Sequence, residues 1–257
     1  MERVDPGDLA TRQELELRSW IDARAQREPL TYLVNTLADA PTFLGLLSRY
    51  ERVFKRATDV LELGAGQGWA SCIVKRRFPH VRVIATDFSP EAISGIRTWE
   101  RVFDVKVEAS QAALSYATGL ADASVDLVFA FASAHHFVLH ERTFAEIHRI
   151  LRPGGKALYL FEPSCRNYVY PLAARRMRRT RTDVVEDMLR QEHISALARA
   201  AGLKCDIDLY PTMARRGPLG TIYNAVLIGV PILRRVLWCT ANFEFTKPNG
   251  KVDRATS

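Results

Sequence analysis

The stretch that most limits what this chain can fold into is Asp59-Val60-Leu61-Glu62-Leu63-Gly64-Ala65-Gly66-Gln67-Gly68-Trp69. A short apolar run rich in β-formers is followed by glycine at every second position. Ala70, Ile73, Val74 and Phe78 then recur at helical spacing, so the order is strand, glycine turn, helix. Such a turn leaves main-chain amides at a helix N-terminus with no side chains in front of them. It suits a polar or anionic part of a nucleotide-like ligand.

The residues around the turn narrow the ligand. A dinucleotide fingerprint would place its third glycine at position 69, where this chain has Trp69. Glu62, just before the first glycine, would repel a pyrophosphate and suits a ligand carrying an ammonium group. Both features count against an NAD(P)-dependent oxidoreductase. The next strand, Val81 to Thr86, ends at Asp87, where a carboxylate beside the glycine turn can accept both hydroxyls of a ribose. Phe88 follows and is placed to pack against an adenine ring, while Ser89 and Pro90 open a helix. A third strand is expected from Asp104 to Ala109, with Ser110 and Gln111 after it. A fourth, Val125 to Phe131, leads to His135-His136-Phe137, and an imidazole there can serve as a general base. Leu151, Pro153, Gly154 and Gly155 make a turn into a fifth strand, Lys156 to Glu162.

Glu62-Leu63-Gly64-Ala65-Gly66-Gln67-Gly68 fits E/D-x-G-x-G-x-G position by position. With Asp87, the His135-His136-Phe137 segment and the Leu151–Gly155 turn in order, the chain resembles the class I S-adenosylmethionine (SAM) dependent methyltransferases. The resemblance implies an α/β fold: a Rossmann-like, doubly wound, seven-stranded sheet of order 3-2-1-4-5-7-6 with strand seven antiparallel, N-terminal helices and a helical cap. It implies S-adenosyl-L-methionine as cofactor, S-adenosyl-L-homocysteine as product, no metal, and methyl transfer to a small molecule, with a hydroxyl the favoured acceptor. In that reading Glu62 positions the methionine amino group, Gly64, Ala65, Gly66, Gln67 and Gly68 hug the cofactor, and Asp87 holds the ribose. Phe88 packs on the adenine and Phe131 ends the strand beside the methyl donor. Ser110 stands where the family has an Asp that accepts from the adenine amino group, and the Ser110 hydroxyl or the Gln111 amide is left to replace it. His135 or His136 takes the proton from a hydroxyl acceptor. The Asp/Asn-Pro-Pro-Tyr sequence used on nucleobase or amide nitrogens is absent.

Residues 1–57 are expected to form an N-terminal helical lid segment, with Leu9, Leu17, Trp20 and Ile21 at helical spacing and Pro29 and Pro41 as punctuation; Trp20, Tyr32 and Tyr50 are candidates to line a pocket. Residues 58–257 form the SAM-binding domain, with cap insertions at about 163–182 and 213–238. The first insertion carries Arg166, Arg175, Arg176, Arg178, Arg179 and Arg181 and no acidic residue. It reads as a solvated basic helix, or as a site for an acidic substrate group or an anionic membrane surface. Asp183 and Glu186 are a candidate capping pair for the helix that runs to Gly202. Leu219 to Trp238 is strongly apolar but broken by Pro231. It either caps a lipophilic pocket, the favoured reading, or lies in a membrane surface. Lys204 to Tyr210 and Thr240 to Lys247 complete the sheet, and the tail beyond Pro248 is expected to be loose.

At 257 residues, 47% hydrophobic and 25% charged, the composition is that of a soluble globular chain, and a net charge of +7 favours anionic partners without suggesting a nucleic-acid tail. Four scattered cysteines and an N-terminus without an apolar signal core fit a reducing, cytoplasmic setting, with peripheral membrane contact through 219–238 left open. A SAM-binding or membrane-associated accessory protein without catalysis is the principal alternative.

Overall fold

The computed structural model describes residues 29–180, 187–212 and 218–249, with the side chains of 29–32 and 176–180 outside that description. The expectations for Leu9, Leu17, Trp20 and Ile21, for the Tyr32 side chain, for the Asp183–Glu186 cap, for residues 213–217 and for the end of the tail lie outside the described residues.

Helix α1 (Pro29–Arg49) leads into α2 (Glu51–Arg56). Pro29 opens α1, but Pro41 lies inside it rather than ending it. The proline removes one helical hydrogen bond. The fully buried Phe43, Leu46 and Leu47 that follow offset that loss. Then come β1 (Asp59–Leu63), α3 (Trp69–Arg77), β2 (Arg82–Asp87), α4 (Pro90–Ser94), α5 (Ile96–Phe103), β3 (Ala109–Ala112) and β4 (Val125–Phe131). Helix α6 (His140–Ile150), β5 (Leu151–Cys165), α7 (Tyr170–Thr180), the two-residue β6 (Leu189–Arg190), α8 (Gln191–Ala200), β7 (Lys204–Leu209), α9 (Pro218–Gly229) and β8 (Cys239–Thr246) follow.

The sheet order is β3-β2-β1-β4-β5-β8-β7, with β6 pairing only with β5. Strand β8 runs antiparallel to β5 and β7, and the other pairings are parallel. Leaving aside the short β6, this is the expected 3-2-1-4-5-7-6 arrangement. Alternation along the strands divides the core. Val60, Val83, Phe129 and Leu158 face α1, α3 and α5, whereas Leu61, Leu63, Val128 and Tyr159 face α6 and α8.

Two strands begin elsewhere than expected. Asp104 is not in β3 but caps α5 in the left-handed conformation, φ 50°, and its short polar side chain tolerates that geometry. β3 therefore starts at Ala109 and contains Ser110 and Gln111 instead of preceding them. Strand β5 starts at Leu151, ahead of the glycine pair. A Cβ on Gly155 would come within 2.8 Å of the Arg152 carbonyl oxygen and 3.0 Å of that of Asp126, so only glycine lets β5 approach β4 there.

Candidate functional site

The order of the sheet reverses at β1, where β2 lies on one side and β4 on the other, and crevices in such sheets open at the carboxyl ends of those strands. Three segments meet there: the glycine turn after β1, Asp87 at the end of β2, and Ser133–His136 after β4.

The glycine turn is built for close approach. Gly64 and Gly68 have φ of 66° and 75°, and a Cβ would meet Ser133 Oγ at 2.8 Å on the first and Ile96 Cδ1 at 2.5 Å on the second. Several of its amides are already engaged: Ala65 N donates to Thr86 O at 2.9 Å, Gly66 N to Asp87 Oδ2 at 2.7 Å, and Gly68 N to Ala65 O at 2.8 Å. The expectation of amides kept open for an anionic group is corrected accordingly: at these three positions the turn's donors hold the turn itself. Gln67 turns aside, packing against Gly95 and accepting from Trp99 Nε1 at 3.4 Å.

Glu62 lies beneath the turn, 2% exposed, and accepts from Ser71 Oγ at 2.5 Å. Burial pushes its carboxyl up to about 8, against the pull of the Ser71 hydrogen bond. Asp87, 3% exposed, accepts from Gly66 N through one oxygen and from Ser89 N, at 2.9 Å, through the other. Burial raises its pKa as well, while those amides pull it down. Phe88 beside it is half-buried. Ser110 and Gln111 are exposed on β3, where Gln111 pairs with Thr86 and its amide nitrogen donates to Thr118 O at 2.8 Å.

Phe131 is 8% exposed, against Phe43 at a ring-centroid distance of 4.9 Å, Trp69 at 5.6 Å and Phe161 at 5.8 Å. It packs the core behind the turn, since alternation along β4 carries it to the α1 face.

The residue that sequence reasoning missed is Glu162. It is wholly buried, and its carboxylate accepts from Ser133 N and Ala134 N through Oε1 at 3.0 and 2.8 Å. Through Oε2 it accepts from His135 N at 3.1 Å and lies 2.7 Å from His135 Nδ1. These donors offset the cost of burying the charge. An ionised Glu162 fixes Nδ1 of His135 as the protonated nitrogen and leaves the lone pair on Nε2. The His135 side chain is 10% exposed and its ring centroid is 4.1 Å from that of His136.

Backbone geometry aims Glu162 at the β4 loop. Between Tyr159 and Glu162 the pairing of β5 with β8 slips by one residue, and Phe161 takes φ 62°. A left-handed bulky residue stores strain. The Asn242 side chain, 0% exposed, holds this bulge by accepting Phe161 N at 2.9 Å and donating to Asp208 at 3.2 Å. The only cue in the sequence was a lone acidic residue ending an apolar strand.

Away from this site, Tyr50 lines a groove of about 560 Å³ together with Arg49, Asp208 and Glu244. Its lining includes none of the glycine-turn residues.

Comparison with known proteins finds similarity over part of the chain. Residues 61–159 match the family described as methyltransferase domain. A malonyl-[acyl-carrier protein] O-methyltransferase of Hahella chejuensis is 33% identical over 39% of this chain and 35% of its own length. A demethylmenaquinone methyltransferase of Thermus thermophilus is 33% identical over 40% of this chain and 47% of its own. The chain thus spans less than half the length of these curated relatives. Among solved structures, a Haemonchus contortus phosphoethanolamine N-methyltransferase 2 bound to S-adenosylhomocysteine superposes with a TM-score of 0.63, at 15% identity, over 90% of this chain and 60% of that one. At that identity the likeness concerns the fold.

Proposed function

We propose that this chain, whose residues 61–159 match a methyltransferase domain, is a class I SAM-dependent methyltransferase that transfers a methyl group from SAM to a hydroxyl of a small-molecule acceptor. The observation that carries the acceptor class is the His135–Glu162 couple beside the glycine turn. A neutral amine can take a methyl group without a base, whereas a hydroxyl must lose its proton, and an imidazole whose Nδ1 proton is held by a carboxylate offers Nε2 to receive it.

The chemistry of the donor set supports the cofactor: Glu62 is a buried carboxyl that a ligand's ammonium would ionise, Asp87 is a carboxyl at the end of β2 whose remaining lone pairs would accept from a ribose, and glycine at position 64 lets the Ser133 loop close on the turn. When bound, SAM supplies a methyl group already activated by its sulfonium. The protein's task is then mainly to align the acceptor and exclude water. Glu162 would keep the His135 ring in one tautomer and stabilise the imidazolium, and Phe88 would cover the adenine. The O- and N-acceptors in the relatives' names belong to those proteins; the histidine couple favours oxygen here.

The first experiment is calorimetric titration with S-adenosylhomocysteine, with NADH as control, followed by turnover of hydroxylated acceptors by wild type and His135→Ala. Micromolar binding, and turnover whose loss in His135→Ala is steepest for the least acidic hydroxyls, is the expected result. Absence of binding would end the reading. Equal loss for hydroxyl and amine acceptors would remove the base.

A further inference from the structure

The outer face of α9 is an apolar stripe open to solvent. Leu219 is 82% exposed, Ile222 62% and Val226 45%, at helical spacing along one side. The opposite side holds the helix down: Leu227 and Asn224 are buried, and Tyr223 stacks on Trp238 and donates to its carbonyl at 2.8 Å. Beyond Gly229 the stripe continues through Val230, Ile232 and Val236 around a short 3-10 turn, Pro231–Arg235. A hydrogen bond from Tyr168 to the Arg235 carbonyl, 2.7 Å, joins the start of the other cap segment to this turn, and Tyr168 and Leu172 add exposed apolar surface. An apolar surface of this kind marks a contact site.

Charge says what the contact is. Helix α9 has no charged residue, and no acidic residue occurs between Asp208 and Glu244 or from Pro163 to Thr182. These two segments hold ten of the 36 basic residues and none of the 29 acidic ones, so they carry +10 while the rest of the chain, with 26 basic and 29 acidic residues, carries −3. Arg234 folds back on α9, donating to the carbonyls of Leu227 and Ile228 at 2.7 and 3.0 Å, which sets a cation at the helix end beside the stripe. Arg235, in the 3-10 turn itself, is exposed, and so is Arg175 on α7. Glu192 pairs with Arg166 at 2.9 Å and Asp187 accepts from Tyr170 at 2.8 Å beside the other cap segment, but α9 and the 3-10 turn hold arginines and no carboxylate, and apolar side chains flanked in that way match the boundary between acyl chains and anionic headgroups. No described helix is long and apolar enough to cross a membrane, so the match is to a surface. We infer that α9 and the 3-10 turn seat this protein on an anionic phospholipid bilayer. Ser164 pairs with Cys239 where β5 and β8 run into the two cap segments, so the seat stands at the same end of the sheet as Glu162.

The test is flotation of the full chain with vesicles of phosphatidylcholine alone and of phosphatidylcholine mixed with phosphatidylglycerol. Two surface variants accompany it: Leu219→Ser/Ile222→Ser/Val226→Ser and Arg175→Glu/Arg235→Glu, each checked for an unchanged thermal transition. The wild type should float with the anionic vesicles, less so as salt rises, and each variant should lose about tenfold or more in partitioning. Failure to float with anionic vesicles, or equal partitioning into both vesicle types, would overturn the inference. So would a concentration-dependent dimer, seen by light scattering, that the triple variant abolishes, because a second copy would then be what covers the stripe.

Discussion

Replacing Glu62 by Gln should make the ligand-free protein more stable, and only at neutral to alkaline pH. Burial moves this carboxyl from 4.5 to about 8. The folded protein therefore holds the proton more tightly than the unfolded chain. The resulting stability is complete below the unfolded pKa, declines as pH rises between the two values, and is gone above the folded one. A shift of that size corresponds to about 5 kcal/mol at the limit, at 1.36 kcal/mol per unit. Gln mimics the protonated acid, still accepts from Ser71 Oγ and never ionises, so the variant escapes the penalty. Urea denaturation of both proteins should give stabilities within about 1 kcal/mol at pH about 5, with the variant ahead by several kcal/mol at pH about 9. His140, which burial holds down to about 3, costs stability as pH falls below its ordinary value, but it is common to both proteins and cancels in the difference. An ammonium-bearing ligand at Glu62 should reverse the order: saturating S-adenosylhomocysteine should stabilise the wild type more than the variant at the higher pH. A stability difference that does not change with pH would refute the buried, protonated Glu62, and equal ligand stabilisation would refute its role toward the amino group.

Asp87→Ala removes the acceptor for Gly66 N and Ser89 N and the proposed ribose contacts. Since each charge-assisted bond is worth about 1.5–3 kcal/mol, calorimetry should find S-adenosylhomocysteine binding weakened by at least tenfold, with Asp87→Asn intermediate. Glu162→Gln should lower kcat on hydroxyl acceptors by about 10²–10⁴ and displace the base limb of the pH–rate profile, the mark that separates orienting His135 from merely folding the loop. Asn242→Leu strands the Phe161 amide in the core and should cost about 1–3 kcal/mol in chemical denaturation.

The glycine turn and the alternation of strands with helices were legible because apolar periodicity and glycine spacing are local signals, whereas the strand order came only from the resemblance those motifs carry. The β3 boundary was less so: Asp104 lies next to β-forming Val105 and Val107, and a left-handed cap leaves no periodic trace. Phe131 was assigned to the cofactor by its place at a strand end, but the side of the sheet on which it falls depends on packing against Phe43, more than eighty residues earlier. Of the two adjacent histidines, residue type alone could not choose. The choice of His135 rests on Glu162, which contacts it only because β5 bulges. The outward stripe of α9 was visible as hydrophobicity, but only the fold shows which of its residues face away from the protein.

The bulge at Phe161 also governs how this protein can change length. Leu160 and Phe161 both face the α1 side, after which the alternation of β5 resumes in the opposite phase, bringing Glu162 beneath Ser133–His135. Removing the residue at position 161 would restore regular pairing with β8, relieve the left-handed backbone and leave Glu162 on its present face, whereas straightening the strand at unchanged length would turn the carboxylate toward Phe43 and Phe131. In this strand the extra residue sets the phase of everything beyond it, so regularising the sheet at constant length parts Glu162 from His135, and a single-residue insertion or deletion elsewhere between Leu151 and Leu160 has to be absorbed at the bulge.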